Sequence, residues 1–307
     1  MRVDVHQHIW TGPLVRALAE RSALPLVRFT DGVCVLHSAA EQPYVIDLPA
    51  EAPARRAALV REDGLDLAVV AISSPIGVEA LPRDEALELI EAHLGGIGAL
   101  PAPFAAWGPL ALDGATPDDV DVLAVRGCVG VSLPAGALAG PERIEAIGPV
   151  LERAASLQLP VFIHPGRACG DRAGAADFGE PLWWRALTDY VAQMQAAWLA
   201  FASHGRSEHP TLKVVFAMLA GCAPLGVERL SSRGGPAVEL RDPLTYYETS
   251  SYGPVAVEMM ARRIGEGQML YGSDRPVIEP QASGREALLQ ENAAAALRLA
   301  GTEAVAA

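Results

Sequence analysis

The stretch Val3-Asp4-Val5-His6-Gln7-His8 decides how the rest of the chain is read. It is an apolar run of strand type that ends in two histidines at i and i+2. Side chains on a strand alternate faces, so His6 and His8 point the same way. Two imidazoles side by side at a strand end begin a metal site. The missing ligands are then expected at the ends of other strands.

Strand-like runs recur outward from this one, near residues 67–72, 104–110, 128–133, 160–164, 213–217, 245–249 and 269–272. Segments with helical period lie between them, among them 84–94, 142–157, 184–203, 254–265 and 284–300. Eight strand-then-helix units predict an α/β chain folded as a (β/α)8 TIM barrel rather than a doubly wound sheet. Two segments break the rhythm. Residues 29–48 hold the short runs Val33–Leu36 and Tyr44–Leu48, which predict a β-hairpin inserted after the first strand. Residues 165–182 form a long loop rich in Gly, Ala and Asp, of the kind that serves as a lid or binding loop. With no internal repeat or linker, residues 1–301 are expected to form one domain, and 302–307 a frayed tail.

Composition narrows the partners. The chain has 307 residues and a net charge of −13. That acidity argues against nucleic acid and anionic membrane surfaces. Every apolar run is interrupted before it could span a bilayer. No basic segment with an apolar core precedes the first strand, so the cytoplasm is the expected compartment. The scattered cysteines Cys34, Cys128, Cys169 and Cys222 read as reduced thiols.

In a barrel of this type the chemistry sits at the C-terminal ends of the strands. Val161-Phe162-Ile163-His164 ends the fifth strand in a third histidine. Leu270-Tyr271-Gly272-Ser273-Asp274 puts a carboxylate after the eighth. Three imidazoles and one carboxylate suit one borderline divalent ion such as zinc.

The segments VDVHQHIW, VFIHPG and LYGSDRP resemble those of the amidohydrolase-related metal enzymes. More specifically they resemble the branch that includes aminocarboxymuconate semialdehyde decarboxylase, aromatic-acid decarboxylases and sugar or pyrone lactonases. The resemblance implies a distorted TIM barrel with a mononuclear metal held by His6, His8, His164 and Asp274, and Asp274 as the group that moves the proton. Other members bridge two metals with a modified lysine. Lys213, the only lysine, starts the sixth strand at the opposite end of the barrel and cannot play that part. The family usually has a histidine at the end of the sixth strand; here Met218 stands in its place. A thioether gives no proton and accepts hydrogen bonds poorly. His204 and His209 precede the sixth strand and are expected away from the site, His204 as a helix C-cap. His93 is expected to complement a helix dipole before Gly95-Gly96.

Around the ligands, Trp10, Arg167, Arg275, Ser250 and Met218 are candidate substrate contacts. For Arg275 and Arg167, binding a substrate carboxylate competes with an ordinary ion pair. Tyr190, Met194, Trp198 and Phe201 form a stripe at helical spacing, read as core or as a homodimer face. The leading expectation is a metal-dependent hydrolase of a small cyclic or aromatic carboxylated substrate, with metal-activated water and Asp274 as the proton-transfer group. A non-oxidative decarboxylase on the same scaffold is the first alternative. A non-catalytic barrel that binds a small molecule, suggested by Met218, is the second.

Overall fold

The computed structural model describes residues 1–171, 179–297 and 299. Its strands are β1 (Val3–Gln7), β2 (Leu26–Thr30), β3 (Val33–His37), β4 (Tyr44–Ile46), β5 (Leu67–Val70), β6 (Phe104–Pro109), β7 (Gly130–Pro134), β8 (Val161–His164), β9 (Val214–Phe216), β10 (Thr245–Glu248) and β11 (Met269–Leu270). Eight of them form one parallel sheet in the order β1-β5-β6-β7-β8-β9-β10-β11. The two edges meet where Gln7 bridges to Arg275, with Val5 N–H on the Tyr271 carbonyl at 3.0 Å and Asp274 N–H on the His6 carbonyl at 2.8 Å. The result is the distorted (β/α)8 barrel that the alternation predicts. Runs such as Val-Phe-Ile in β8 and Val-Val-Phe in β9 are buried throughout, as strands covered on both faces must be. Inside the barrel Trp107 stacks on Phe162 at 5.0 Å between ring centroids, and its indole N–H donates to the Val5 carbonyl at 2.8 Å.

The insertion is larger than a hairpin. β2, β3 and β4 form a three-stranded antiparallel sheet. The signal for the extra strand was local. Asp31 and Gly32 both take positive φ, 51° and 82°, which is the two-residue turn an Asp-Gly pair favours between alternating strands. Hydrogen bonds from Gln42 to the Glu180 carbonyl and from Arg185 to the Ala40 carbonyl, both at 2.6 Å, tie the β3–β4 loop to the far side of the barrel mouth.

The helix expected over 184–203 is divided. It runs as Trp184–Leu187 and Asp189–Ala200, then through a π-helical turn at Phe201–Gly205 to Glu208. It stops just before the His209-Pro210 pair, because the residue ahead of a proline avoids the helical region. His204 therefore sits inside the π turn, 3.7 Å from Glu145, and is not a C-cap. Met194, Trp198 and Phe201 are core residues, as one of the two readings has it. Part of the 165–182 loop, residues 172–178, and the tail after Gly301 lie outside the described residues. Among those described, no helix is long and apolar enough to cross a membrane.

Candidate metal centre

The end of β1 is irregular. Between Asp4 and Gln7 it carries one residue more than its partner β5 has between Ala68 and Val70. Such bulges re-aim side chains, and this one falls at the histidine pair. The His6 and His8 Nε2 atoms approach to 3.2 Å. Asp274 Oδ1 lies 3.5 Å from the first and 3.2 Å from the second. His164 completes the group, its ring centroid 4.9 Å from that of His6 and 5.1 Å from that of His8. One ligand atom from each of His6, His8, His164 and Asp274 lies within 4.8 Å of every other. The four predicted ligands thus converge.

Each imidazole is held by its other nitrogen. His8 Nδ1 donates to the Ala71 carbonyl at 2.9 Å, and His164 Nδ1 to the Pro165 carbonyl at 2.9 Å. A carbonyl only accepts, so in the neutral rings the proton sits on Nδ1 and Nε2 offers a lone pair to the centre. His6 Nδ1 is 3.0 Å from Glu248 Oε2. This glutamate, fully buried at the end of β10, was missed in the sequence. It also accepts the Ser250 hydroxyl at 2.8 Å, the Met218 backbone N–H at 3.2 Å and, very closely, the Ser250 backbone N–H. The available signal was a carboxylate closing an apolar strand run, which needs partners to be buried.

Asp4 supports the centre from the other side. Its carboxylate accepts the backbone N–H of His6 at 3.0 Å and of Ser273 at 3.1 Å, and the Gln7 amide at 2.8 Å. It therefore joins the strand of His6 and His8 to the turn of Asp274. Burial raises its pKa to about 6 in spite of those bonds. Burial also opposes charge on His6, yet the Glu248 and Asp274 carboxylates hold its pKa up to about 9. His164 moves the other way, pushed well below its ordinary value by burial and by His6 and His8. A divalent cation bound here must displace the His6 proton. Four convergent donors of this kind, two held with their lone pairs inward and His6 joining them once its proton leaves, fit such an ion.

The candidate substrate contacts divide. Arg275 is engaged by Asp63 at 3.1 Å and Glu279 at 2.7 Å, which is the ion-pair alternative, so its guanidinium is turned away from substrate duty. Ser250 bonds Glu248 and lies 3.3 Å from His6 Nδ1, and so acts in holding that ring. Trp10 is buried, its ring 6.1 Å from that of Tyr44, and its backbone N–H donates to Glu51 at 2.8 Å. Met218 contributes its backbone N–H to Glu248 and begins a run of left-handed residues through Cys222. Arg167 does line a cavity, of about 280 Å³, and Tyr190, expected with the core or dimer stripe, lines it too. His93 is not at a helix end. Its helix runs on to Gly98, the ring is buried without a hydrogen-bond partner among the described residues, and burial followed by the nearby His8 lowers its pKa to about 3. The cysteines are free thiols, as expected.

No protein-family model and no curated protein matches the chain by sequence. Solved structures match by fold. The IDCase of Metarhizium anisopliae aligns with a TM-score of 0.72 and 19% identity, over 97% of each chain. The 5-carboxyvanillate decarboxylase of Novosphingobium aromaticivorans, complexed with manganese and 4-hydroxy-3-methoxy-5-nitrobenzoic acid, aligns at 0.68 and 15%, over 97% of this chain and 96% of its own. The 2,6-dihydroxybenzoate decarboxylase from Rhizobium aligns at 0.66 and 14%, over 98% and 99%. A structure described as amidohydrolase II is also among the matches, at 0.69 and 16%, over 97% and 100%. At these identities the likeness shows the fold alone, a (β/α)8 barrel of the kind these structures share.

Proposed function

We propose that this protein is a metal-dependent, non-oxidative decarboxylase acting on a small carboxylated aromatic or cyclic compound. The observation that carries the proposal is the convergence of His6, His8, His164 and Asp274 within 4.8 Å. The activities named for structures of this fold favour decarboxylation over the hydrolysis that the sequence put first. A divalent ion held by the four residues would supply positive charge for a substrate carboxylate and an adjacent oxygen. Manganese and zinc are the ions to test, manganese because a structure of the same fold carries it.

The net reaction breaks one carbon–carbon bond. Carbon dioxide leaves, the bonding pair stays on the substrate carbon, and a proton replaces the lost group. The chain must therefore deliver one proton. Asp274 is the ligand most open to the barrel mouth, its side chain 15% exposed against 1% for His6 and 3% for His8. It is assigned as the proton-transfer group, because Met218 has no proton to give. Glu248 and the Ala71 and Pro165 carbonyls keep the three imidazoles oriented and their Nε2 lone pairs available.

The test is to load the purified protein with manganese or zinc and offer hydroxylated benzoates and related cyclic acids. Carbon dioxide release is followed against ester, lactone and amide cleavage. Decarboxylation lost in Asp274→Asn and His164→Ala is the expected result. Hydrolysis without carbon dioxide would restore the hydrolase reading. Failure to bind a stoichiometric divalent ion would remove both.

A further inference from the structure

The cavity of about 280 Å³ is lined by Glu41, Gly166, Arg167, Arg185, Tyr190 and Gln193, among others. None of the four ligands lines it, but it lies next to the metal centre along the chain. Gly166 and Arg167 follow ligand His164 by two and three residues, and the Tyr190 hydroxyl, bonded to Glu41, also feels the Asp274 carboxylate. The loop is fixed at both backbone atoms of Gly166: its N–H donates to Gln193 Oε1 at 2.8 Å, and its carbonyl accepts from Gly136 at 2.9 Å. The guanidinium packs on the backbone of Gly77, where a Cβ would lie 3.1 Å from Nη2. Arg167 is thus positioned rather than free in solvent.

The neighbouring charges have direct partners other than Arg167, and the Glu41 and Asp171 carboxylates act on its guanidinium only at longer range. Asp171 is held by Arg143 and by the Ala168 N–H at 2.9 Å. Arg185 bonds Glu180 and the Ala40 carbonyl and lies 3.9 Å from Asp189. Glu41 accepts the Tyr190 hydroxyl. Arg167 alone has no hydrogen bond or ion pair among the described residues, and its Nε is buried without a partner. A guanidinium that lines a cavity without a direct partner is open to an anion entering there. Its fork of N–H groups matches the two oxygens of a carboxylate.

We propose that Arg167 binds a second carboxylate on the substrate, so that the substrate class is a small ring dicarboxylate with one acid group at the metal centre and the other at Arg167. This rests on the proposed function and narrows it. Titration calorimetry on the manganese-loaded protein would compare benzoate with the 1,2-, 1,3- and 1,4-benzenedicarboxylates. The best dicarboxylate is expected to bind about tenfold or more tightly than benzoate, and Arg167→Met to cut that preference to about twofold, with the loss falling mainly on the dicarboxylate. Arg167→Lys should restore part of it. Three results would overturn the proposal: no dicarboxylate preference in the wild type, an intact preference in Arg167→Met, or equal loss for benzoate and dicarboxylate. The last would mean that Arg167 only supports the loop. Failure of the decarboxylase reading registers separately, as an intact preference in a protein that releases no carbon dioxide.

Discussion

Gly272 leaves the space that Glu248 fills: a Cβ on Gly272 would lie 2.1 Å from Glu248 Oε1 and 2.4 Å from its carboxyl carbon. The turn that carries Asp274 and the strand that carries the support for His6 are therefore fitted to each other before any ligand is considered. Gly272→Ala must displace the Glu248 carboxylate, and His6 loses the acceptor on Nδ1. The expected outcome is a divalent-ion affinity about 10–100-fold weaker, as for other lost supports of metal-binding histidines. Calorimetric titration with manganese measures it. An unchanged affinity would show that Glu248 does not orient His6.

Glu79 gives a pH prediction outside the metal centre. Its carboxyl is fully buried and takes the Ser74 hydroxyl. Burial, opposed by that bond, raises its pKa from 4.5 to about 7. Between these values the folded protein keeps a proton that the unfolded chain gives up. This group's contribution to stability is thus present below pH 4.5 and is lost as pH rises to 7. The loss amounts to roughly 3 kcal/mol over the window. Glu79→Gln does not titrate, so urea unfolding should show its stability relative to wild type rising by about that amount from pH 4.5 to 7.5. A constant difference would mean that Glu79 is ionised throughout.

The parts legible in the sequence were those where one residue type has one physical use. Continuous apolar runs gave the eight strands, and polar ligands closing β1, β8 and the run after β11 gave the centre. What stayed hidden depended on packing between distant segments. Glu248 is separated by 242 residues from the histidine it holds. His93 looked like a helix end because Gly95-Gly96 follows it. Those glycines stay helical, and Gly96 lets the helix approach Thr11, whose Oγ1 would lie 2.0 Å from a Cβ there. The left-handed run from Met218 to Cys222 contains a single glycine, so composition does not announce it.

Arg275 separates a structural arginine from a substrate-binding one. Its guanidinium is mostly buried between Asp63 and Glu279. Arg275→Met should lower stability by about 1–2 kcal/mol, chiefly by leaving Asp63 unpaired. The KM for a decarboxylated substrate should stay within about twofold of wild type, since no binding energy of the order of a charged hydrogen bond is lost. Denaturant unfolding and steady-state kinetics read the two effects apart. A large rise in KM with unchanged stability would return Arg275 to the substrate site.

The left-handed run can be tested at its glycine. Gly221 has φ +60°, and a Cβ there would lie 2.8 Å from the Val191 carbonyl of the helix packed against it. The Gly221 carbonyl accepts the Gln195 side-chain amide at 2.8 Å, so turn and helix are already bonded in that arrangement. Gly221→Ala adds left-handed strain and forces the helix back, and should cost about 2–4 kcal/mol. Gly95→Ala is the contrasting change. That glycine is exposed within the helix Arg83–Gly98, with nothing within 4 Å of a new Cβ. Alanine there should raise stability by about 0.5–1 kcal/mol. Opposite signs in urea unfolding are expected. If Gly221→Ala were neutral, the turn that delivers the Met218 N–H to Glu248 would have to be adopting a different, unstrained course.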